Sequence, residues 1–599
     1  MRECENARMK YSCRRKREEK AQCILFYDNF TLKIVETTQA NILAFSHSGI
    51  LALLKKTNMK KHNYYILILL TFLISACGTS EKKANDNGGT ELSVFRYNQP
   101  SSINSLDPAF SKDQATMWIG NQLFNSLVQI DENLNILPSI AESWETSTDG
   151  LTYTFKLRKD VKFHPHELFK SEEERLLTAN DVVYSFNRIL DPKVASPGAW
   201  IFSDKVNKEN AFTALNDYTF QLKLTKPFRP VLGILSMQYC SVVSKKVAEH
   251  YAREFRSNPI GSGPFKLKKW KEGEMLILEK NEDYWESKNG QQLPLLDGVK
   301  VSFNENKQAA YLDFMQGKLD LISGIDPSYK DDLLTPDGTL KPALSSKITL
   351  DKSPYLNTEY LGFLMDDKKN PALKDKRIRQ AINYGFDREK MIRFLRNNIG
   401  VPATAGFVPK GLPSFNPSAV KGYTYNPDKA RELIKAAGYS NANPLPEILL
   451  ETTSSYIDLC TFIQKQLKDI GINVRLEQMP PASLREKISK SESNFFRASW
   501  IADYPDAESF LTILYGPYPA PPNYTRFDNP KFNELYQAAL LENDNAKRYA
   551  LYNEMDNVLI EEAPVVPLFY DEVLRFKQKS IKGLKNNAMN MLILKEVSK

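Results

Sequence analysis

The densest group of chemistry-bearing side chains lies at residues 494–510, NFFRASWIADYPDAESF. Arg497, Trp500 and three carboxylates, Asp503, Asp506 and Glu508, fall within twelve residues. Two chemistries suit those types. Carboxylates at short spacing could work as general acid and base. A carboxylate and a guanidinium held apart could instead grip a ligand that carries an ammonium at one end and a carboxylate at the other. Other sites offer less. No G-x-S-x-G or H-E-x-x-H string occurs, and five histidines leave little scope for a triad. His164 and His166 flank a proline without a third metal ligand at recognisable spacing, and no metal is expected there. The G-x-G of GSGPF, residues 261–265, lacks the third glycine and helix start of a nucleotide site, so its glycines are expected to serve a tight turn on the hinge side.

The elements that position such groups must come from a large chain. At 599 residues two or more domains are expected. A hydrophobic share of 42% and a charged share of 25% are those of a globular protein. The net charge of +8 is carried almost wholly by the front of the chain. Residues 1–58 hold eleven Lys/Arg against six Asp/Glu, and Lys60 and Lys61 add two, which leaves about +1 for the rest. A near-neutral body excludes a nucleic-acid footprint. Of six cysteines, Cys4, Cys13 and Cys23 precede everything that reads as folded. Cys77, Cys240 and Cys460 are no disulfide framework, and whether Cys240 and Cys460 pair is left open.

From Met59 the chain reads MKKHNYYILILLTFLISACGTS. Two lysines, an apolar run over residues 64–74 and small residues before Cys77 predict a secretory signal over residues 59–76. The run is too short to span a bilayer as a mature helix, which needs about 20 residues. LISAC resembles a bacterial lipobox, in which Cys77 becomes the lipidated first residue. Residues 77–90, polar and glycine-containing, then serve as a tether. Residues 1–58 follow no comparable logic, and translation is expected to begin at Met59.

Beyond the tether, ELSVFRYNQP reads as a strand and residues 117–127 as a helix. AESWETSTDGLTYTFKLRKDVKFH is a hairpin turning at Asp149-Gly150. LTANDVVYSFNRIL is an amphipathic helix starting near Thr178 or Asn180, and residues 218–224 are a strand. KDKRIRQAINYGFDREKMIRFL and NPDKARELIKAAGY read as one helix each. PLPEILLETTS, a helix to Asp469 and GINVRLEQMP give a βαβ unit.

In order, the blocks SLDPAF, AESWETSTDGLTYTFKLRKDVKFH, LTANDVVYSF, NPIGSGPFKLKKW, NPALKDKRIRQAINYGFDREKMI, YNPDKARELIKAAGY and WIADYPD closely resemble the oligopeptide/dipeptide-binding proteins of ABC importers, the extracytoplasmic solute-binding proteins of family 5. The resemblance implies an α/β, two-lobed, periplasmic-binding-protein-like type II fold with an additional subdomain in the first lobe. It places lobe 1 at residues 91–126, 233–330 and 565–599, the subdomain at 127–232 and lobe 2 at 331–564. It implies a monomeric, lipid-anchored receptor in the bacterial cell envelope, on its periplasmic or extracellular face. Such a receptor has no cofactor and no enzymatic activity, closes on an oligopeptide and hands it to permease subunits.

Physical chemistry says what such a site needs. A receptor for many peptides must read what all share: an ammonium, a backbone and a terminal carboxylate. The ammonium needs a fixed carboxylate, the backbone an open strand edge, and the carboxylate a guanidinium. By resemblance Asp503 of WIADY is the ammonium partner and Arg497 the carboxylate clamp for short ligands. Ser499, Trp500 and Ile501 form the pairing strand, with Trp500 either pocket wall or core. Lys112, Asp113 and Gln114 border the ligand on its other edge. Asp506 and Glu508 are expected to be solvated or at a helix N-terminus. Two departures from the family pattern stand out: Leu364 where a polar residue is common, and Gly198 where a pocket tyrosine occurs, with Trp200 expected to take over that wall. Nickel, haem or an oligosaccharide as ligand, or a surface peptidase activity, are the alternatives. A neutral sugar would leave the Asp503 charge without a partner.

Overall fold

The computed structural model describes residues 92–599 except 325, 327 and 367–370. The segment 1–58, the signal at 59–76, Cys77 and the tether at 77–90 lie outside the described residues. Alternation builds the first strand, Val94–Gln99, which turns Phe95 and Tyr97 inward. It pairs in parallel with Gly298–Phe303, and the antiparallel strands Met275–Lys280 and Phe265–Lys271 extend that side. On its other side it meets Leu321–Ser323, which leads to the long strand Val565–Gln578.

Two strands carry the sheet from one lobe into the other. Ile348–Phe363, 16 residues, pairs with Val565–Gln578 along nearly its whole length. The register breaks between Pro354 and Thr358, where the two-lobed sheet changes its second partner. Beyond the break Asn357–Phe363 pairs with Phe495–Ile501, followed by Ile448–Thr452 and Val474–Gln478. The result, among the described residues, is one 11-stranded mixed sheet flanked by helices, an α/β fold in two lobes.

A separate four-stranded antiparallel sheet holds Ala141–Thr146, Thr152–Leu157, Thr219–Lys223 and Phe212–Asn216. Gly150, at φ 70°, makes the hairpin turn, and Tyr153, Phe155 and Leu157 enter the core. Its helix Ala179–Leu190 starts at Thr178, whose backbone N–H donates to Asp181 at 3.0 Å.

Most expected elements are present, with two corrections. The helix expected over 117–127 is Gln114–Leu123, started by the Asp113 side chain accepting from Thr116 N–H at 2.9 Å. The helix expected through KDKRIRQAINYGFDREKMIRFL is two, Lys376–Tyr384 and Arg388–Arg396. Asp387 accepts from Lys390 N–H at 2.9 Å and so begins a second helix after Gly385. The βαβ unit is Ile448–Thr452, Ile457–Asp469 and Val474–Gln478, with Ile448 opposite Val474 in parallel. Cys240 and Cys460 are buried free thiols. Among the described residues no helix is long and apolar enough to cross a membrane.

The glycines of GSGPF serve close approach. Gly263 N–H donates to Leu123 O at 2.9 Å, and the backbone at the end of helix Gln114–Leu123 lies directly over both glycines. A Cβ at Gly263 would lie 2.4 Å from Leu123 C and 2.5 Å from Gln122 O, atoms that no rotamer change can move. His164, buried, adds a bond of 3.0 Å to Gly263 O, and burial holds its imidazole down to about 4 and therefore neutral. Gly263→Ala is expected to cost roughly 1–3 kcal/mol, the usual range for overpacking, read as a lower melting temperature.

Candidate functional site

The strand Phe495–Ile501 is held by Asn357–Phe363 along one edge. Its other edge meets Ile448–Thr452 only where Glu451 faces Phe496. From Arg497 to Ile501, therefore, no strand among the described residues covers that edge. A strand with an open ladder edge is a template for another extended chain.

The strand ends in a tight loop. Trp500 Nε1 donates to Ser509 O at 2.6 Å and Asp503 N–H to Ser509 Oγ at 3.1 Å, which folds the segment back on itself. Ala502 N–H donates to Leu356 O at 2.9 Å, tying the loop to the register break in the neighbouring strand. Trp500 is half-buried below the loop and supports it from the core side.

Asp506 and Glu508 brace the loop from behind. The structure corrects the expectation of solvated side chains. Glu508 begins the short helix Glu508–Leu511 but is buried, and its carboxylate accepts from both Tyr504 Oη and Tyr536 Oη. Burial raises its pKa, against the two phenol donors. Asp506 lies 3.3 Å from Arg548 and accepts from Tyr552 Oη at 2.7 Å. Tyr504 packs edge-on against Phe228 of the smaller-sheet region, with ring centroids 6.4 Å apart. The loop thus touches both sides of the cleft.

What the bracing presents is Asp503. Its carboxylate has no hydrogen-bond or ion-pair partner among the described residues, and it is open to the water of the cleft. Protein nonetheless surrounds it closely enough to weaken its solvation. That loss of solvation, followed by the nearby Glu508 charge, pushes the carboxyl up to about 6.

Asp503 lines a cavity of about 360 Å³. Ile501 and Ala502 lie beside it, and Lys112, Asp113 and Gln114 line the cavity from the helix start in the other lobe. A second hollow of about 380 Å³ shares Asp113, Gln114 and Trp118 and continues past Gln99 and Ser102. Both volumes suit a small-molecule or short-peptide site.

Of the other site residues read from the sequence, Ser499 is exposed on the strand, and like Arg497 and Trp500 it does not line the cavity. Arg497 pairs with Glu359, and its side chain is only 10% exposed. Trp200 is 42% exposed and stands outside the cavity lining. The space beside Gly198 is filled by Tyr239, since a Cβ there would lie 2.4 Å from the Tyr239 ring. Burial pushes the Tyr239 phenol up to about 12, and the charges of Asp503 and Asp113 add to the effect. Leu364 is buried at the strand end, bonded through its N–H to Asn494 O.

Sequence reasoning missed the cavity floor, Met589 to Met591. Asn590, at φ 53°, offers its carbonyl to Trp118 Nε1 at 2.7 Å and to Arg575 at 3.3 Å, while its side chain accepts from Arg575 at 3.0 Å. Burial brings Arg575 down to about 10, yet it stays charged and ties the chain end to the long strand. No local motif marks this arrangement, because Trp118 is 472 residues from Asn590 and Arg575 reaches it across 15 residues of largely irregular chain.

Comparison with known proteins places this geometry. Residues 135–521 match the model of the bacterial extracellular solute-binding proteins, family 5 Middle. The chain is 26% identical over 546 residues to di/tripeptide-binding protein 2 of Pseudomonas aeruginosa, covering 88% of this chain and 97% of that protein. It is 26% identical to heme-binding protein A of Haemophilus influenzae, covering 85% and 94%. Among solved structures it is similar to the periplasmic binding protein DppA of Helicobacter pylori in complex with the peptide STSA. That match has 28% identity and a TM-score of 0.67, and covers 84% of this chain and 98% of that one.

The brace predicts a titration. Glu508→Gln removes a charge behind Asp503, so the Asp503 carboxyl is expected to fall from about 6 toward the ordinary carboxylate range. Carboxyl carbon NMR across pH 3–8 reads this directly; an unchanged midpoint would remove Glu508 as a cause.

Proposed function

The chain belongs to the bacterial extracellular solute-binding proteins, family 5, is a solute receptor and not an enzyme, and on that premise we propose that it captures oligopeptides between its lobes. One observation carries the reading: a partnerless carboxylate, Asp503, opens onto a cleft at the end of a strand with an uncovered edge. The peptide ammonium pairs with Asp503. The peptide backbone adds as a strand along Ser499, Trp500 and Ile501, and Lys112, Asp113 and Gln114 border it from the other lobe. A carboxylate whose solvation is weakened and which has no cation beside it favours a cationic ligand, which makes an ammonium the group that suits the site.

Lobe closure follows from the same geometry. The hinge is the register break at Pro354 to Thr358, where two long strands run between lobes. A hinge there keeps the subdomain at 127–232 but moves the lobe boundaries expected at 330/331 and 564/565 into the two strands, near residues 355 and 571. Tyr504 touches Phe228 of the subdomain, a contact that lobe opening is expected to separate. The loaded, monomeric receptor then delivers its peptide to permease subunits of an ABC importer, held at the membrane by lipid on Cys77. Cys77→Ser should move the protein from the membrane pellet to the soluble fraction; continued sedimentation with membrane would remove the anchor.

The haem-binding relative keeps a second solute class in view. Native mass spectrometry of the protein purified from its host separates the two, since bound peptides support this reading and bound haem or metal refutes it. Asp503→Asn is expected to weaken peptide binding by about 2–5 kcal/mol in calorimetry, the scale for truncating one partner of a charge pair. The pH dependence has a definite sign. In the free protein Asp503 is protonated below about 6, so affinity is full above that pH and falls as pH drops through it. Each unit below costs up to roughly tenfold, and binding there releases a proton. Above the peptide ammonium's own pKa of about 7.7–8.0 affinity falls again, giving a bell-shaped profile.

A further inference from the structure

Arg497 stands on the face of the strand that also carries Ser499 and Ile501, because side chains two apart share a face. On the neighbouring strand Leu361, Glu359 and Asn357 lie directly opposite those three. Glu359 is thus diagonal to Arg497, and its carboxylate accepts from the Arg497 guanidinium. It also accepts from Asn357 Nδ2 at 3.0 Å and from Tyr456 Oη at 3.3 Å. The Tyr456 ring covers the guanidinium. Arg497 Nε is shut away from solvent without a hydrogen-bond partner among the described residues, so Glu359, 3% exposed, holds the guanidinium through its terminal nitrogen alone. Beside them Asp571 pairs with Arg396 at 2.8 Å and accepts from Asn357 at 3.3 Å, so the four charges cancel.

A peptide anchored by its ammonium at Asp503 and running along the open edge covers the four steps from Ile501 to Arg497 in roughly 13 Å. With the first residue opposite Ile501, the fifth therefore arrives beside Arg497, and the fourth lies one position short of it. A terminal carboxylate there meets a guanidinium already holding a carboxylate, behind an aromatic ring. Displacing Glu359 would leave that buried charge with only neutral donors.

We propose that Glu359 is a specificity-determining residue that withdraws Arg497 from ligand recognition, so that the receptor reads a peptide by its ammonium and backbone and is indifferent to whether the carboxyl end is free. The inference rests on the peptide-receptor reading of the same cleft. It makes the site open-ended, since a ligand that need not terminate at Arg497 can continue past it.

Calorimetry on the full chain with four- and five-residue alanine peptides tests this. Each is compared as the free acid, the C-terminal amide and the N-acetylated form, with wild-type protein and with Glu359→Gln. For wild type, amidation is expected to change Kd less than about threefold, as for a charge contact of no net worth. N-acetylation should weaken binding more than about thirtyfold, as for loss of a desolvated charge pair. In Glu359→Gln the released Arg497 should bind the free acid more tightly, and amidation should then cost about tenfold or more. Amidation that weakens wild-type binding tenfold overturns the inference while leaving the receptor reading intact. Insensitivity to N-acetylation, or no binding of any form, overturns both. Should Glu359→Gln fail to fold, the wild-type amide comparison decides alone.

Discussion

Two backbone ladders that must stay paired through a hinge govern this molecule. Ile348–Phe363 and Val565–Gln578 bury their peptide groups in both lobes, and each buried N–H and C=O needs its partner. Continuous pairing would make one rigid sheet. The irregularity at Pro354 to Thr358 lets the strands turn while the ladder resumes on either side. That break also hands Asn357–Phe363 to the strand that ends at Asp503. Lobe geometry and the binding edge therefore depend on the same few residues, and Tyr355 of the break lines the cavity itself.

Electrostatics then separates two residues that look equivalent. Arg497 and Asp503 are six residues apart, yet one charge is spent and the other is available. Glu359 pairs with Arg497, the Tyr456 ring covers it, and Asn357 and Tyr456 hold Glu359 in place. Asp503 has Glu508 behind it, a like charge that cannot pair with it, and water in front. The tyrosine donors on Glu508 keep that side chain in place and out of the cleft. The loop thus holds a carboxylate whose solvation the surrounding protein weakens.

The other wall shows how close approach sets cavity shape. Gly261 and Gly263 bring the end of helix Gln114–Leu123 against the backbone, and this fixes where Lys112, Asp113 and Gln114 stand. Gly198 admits the Tyr239 ring near the two cleft carboxylates. The floor is held by Arg575, a buried cation that finds carbonyls instead of a carboxylate. The wall expected from Trp200 is not formed by it, and the space beside Gly198 is taken by the buried Tyr239 ring.

Much of the architecture was legible in local pattern. Alternation in TYTFKL and VFRY marks strands because side-chain direction has a period of two. Asn and Asp before helical runs mark starts, because their side chains take up free backbone N–H groups; Asp387 carries that signal and was read through as helix interior. Asp503 and the residues 112–114 were identifiable from ordered blocks, and all four line one cavity. Arg497 was not readable in the same way, because its partner Glu359 is 138 residues away and becomes a neighbour only through sheet register. Likewise Glu508 reads as a surface acid until Tyr536 packs over it, and Asn590 as a loop residue until Trp118 and Arg575 converge on it. The sequence by itself determined the elements and the family pattern, since those depend on short-range spacing. Tertiary structure alone decided which charges remain free for a ligand, because that is a sum over neighbours brought together from distant parts of the chain.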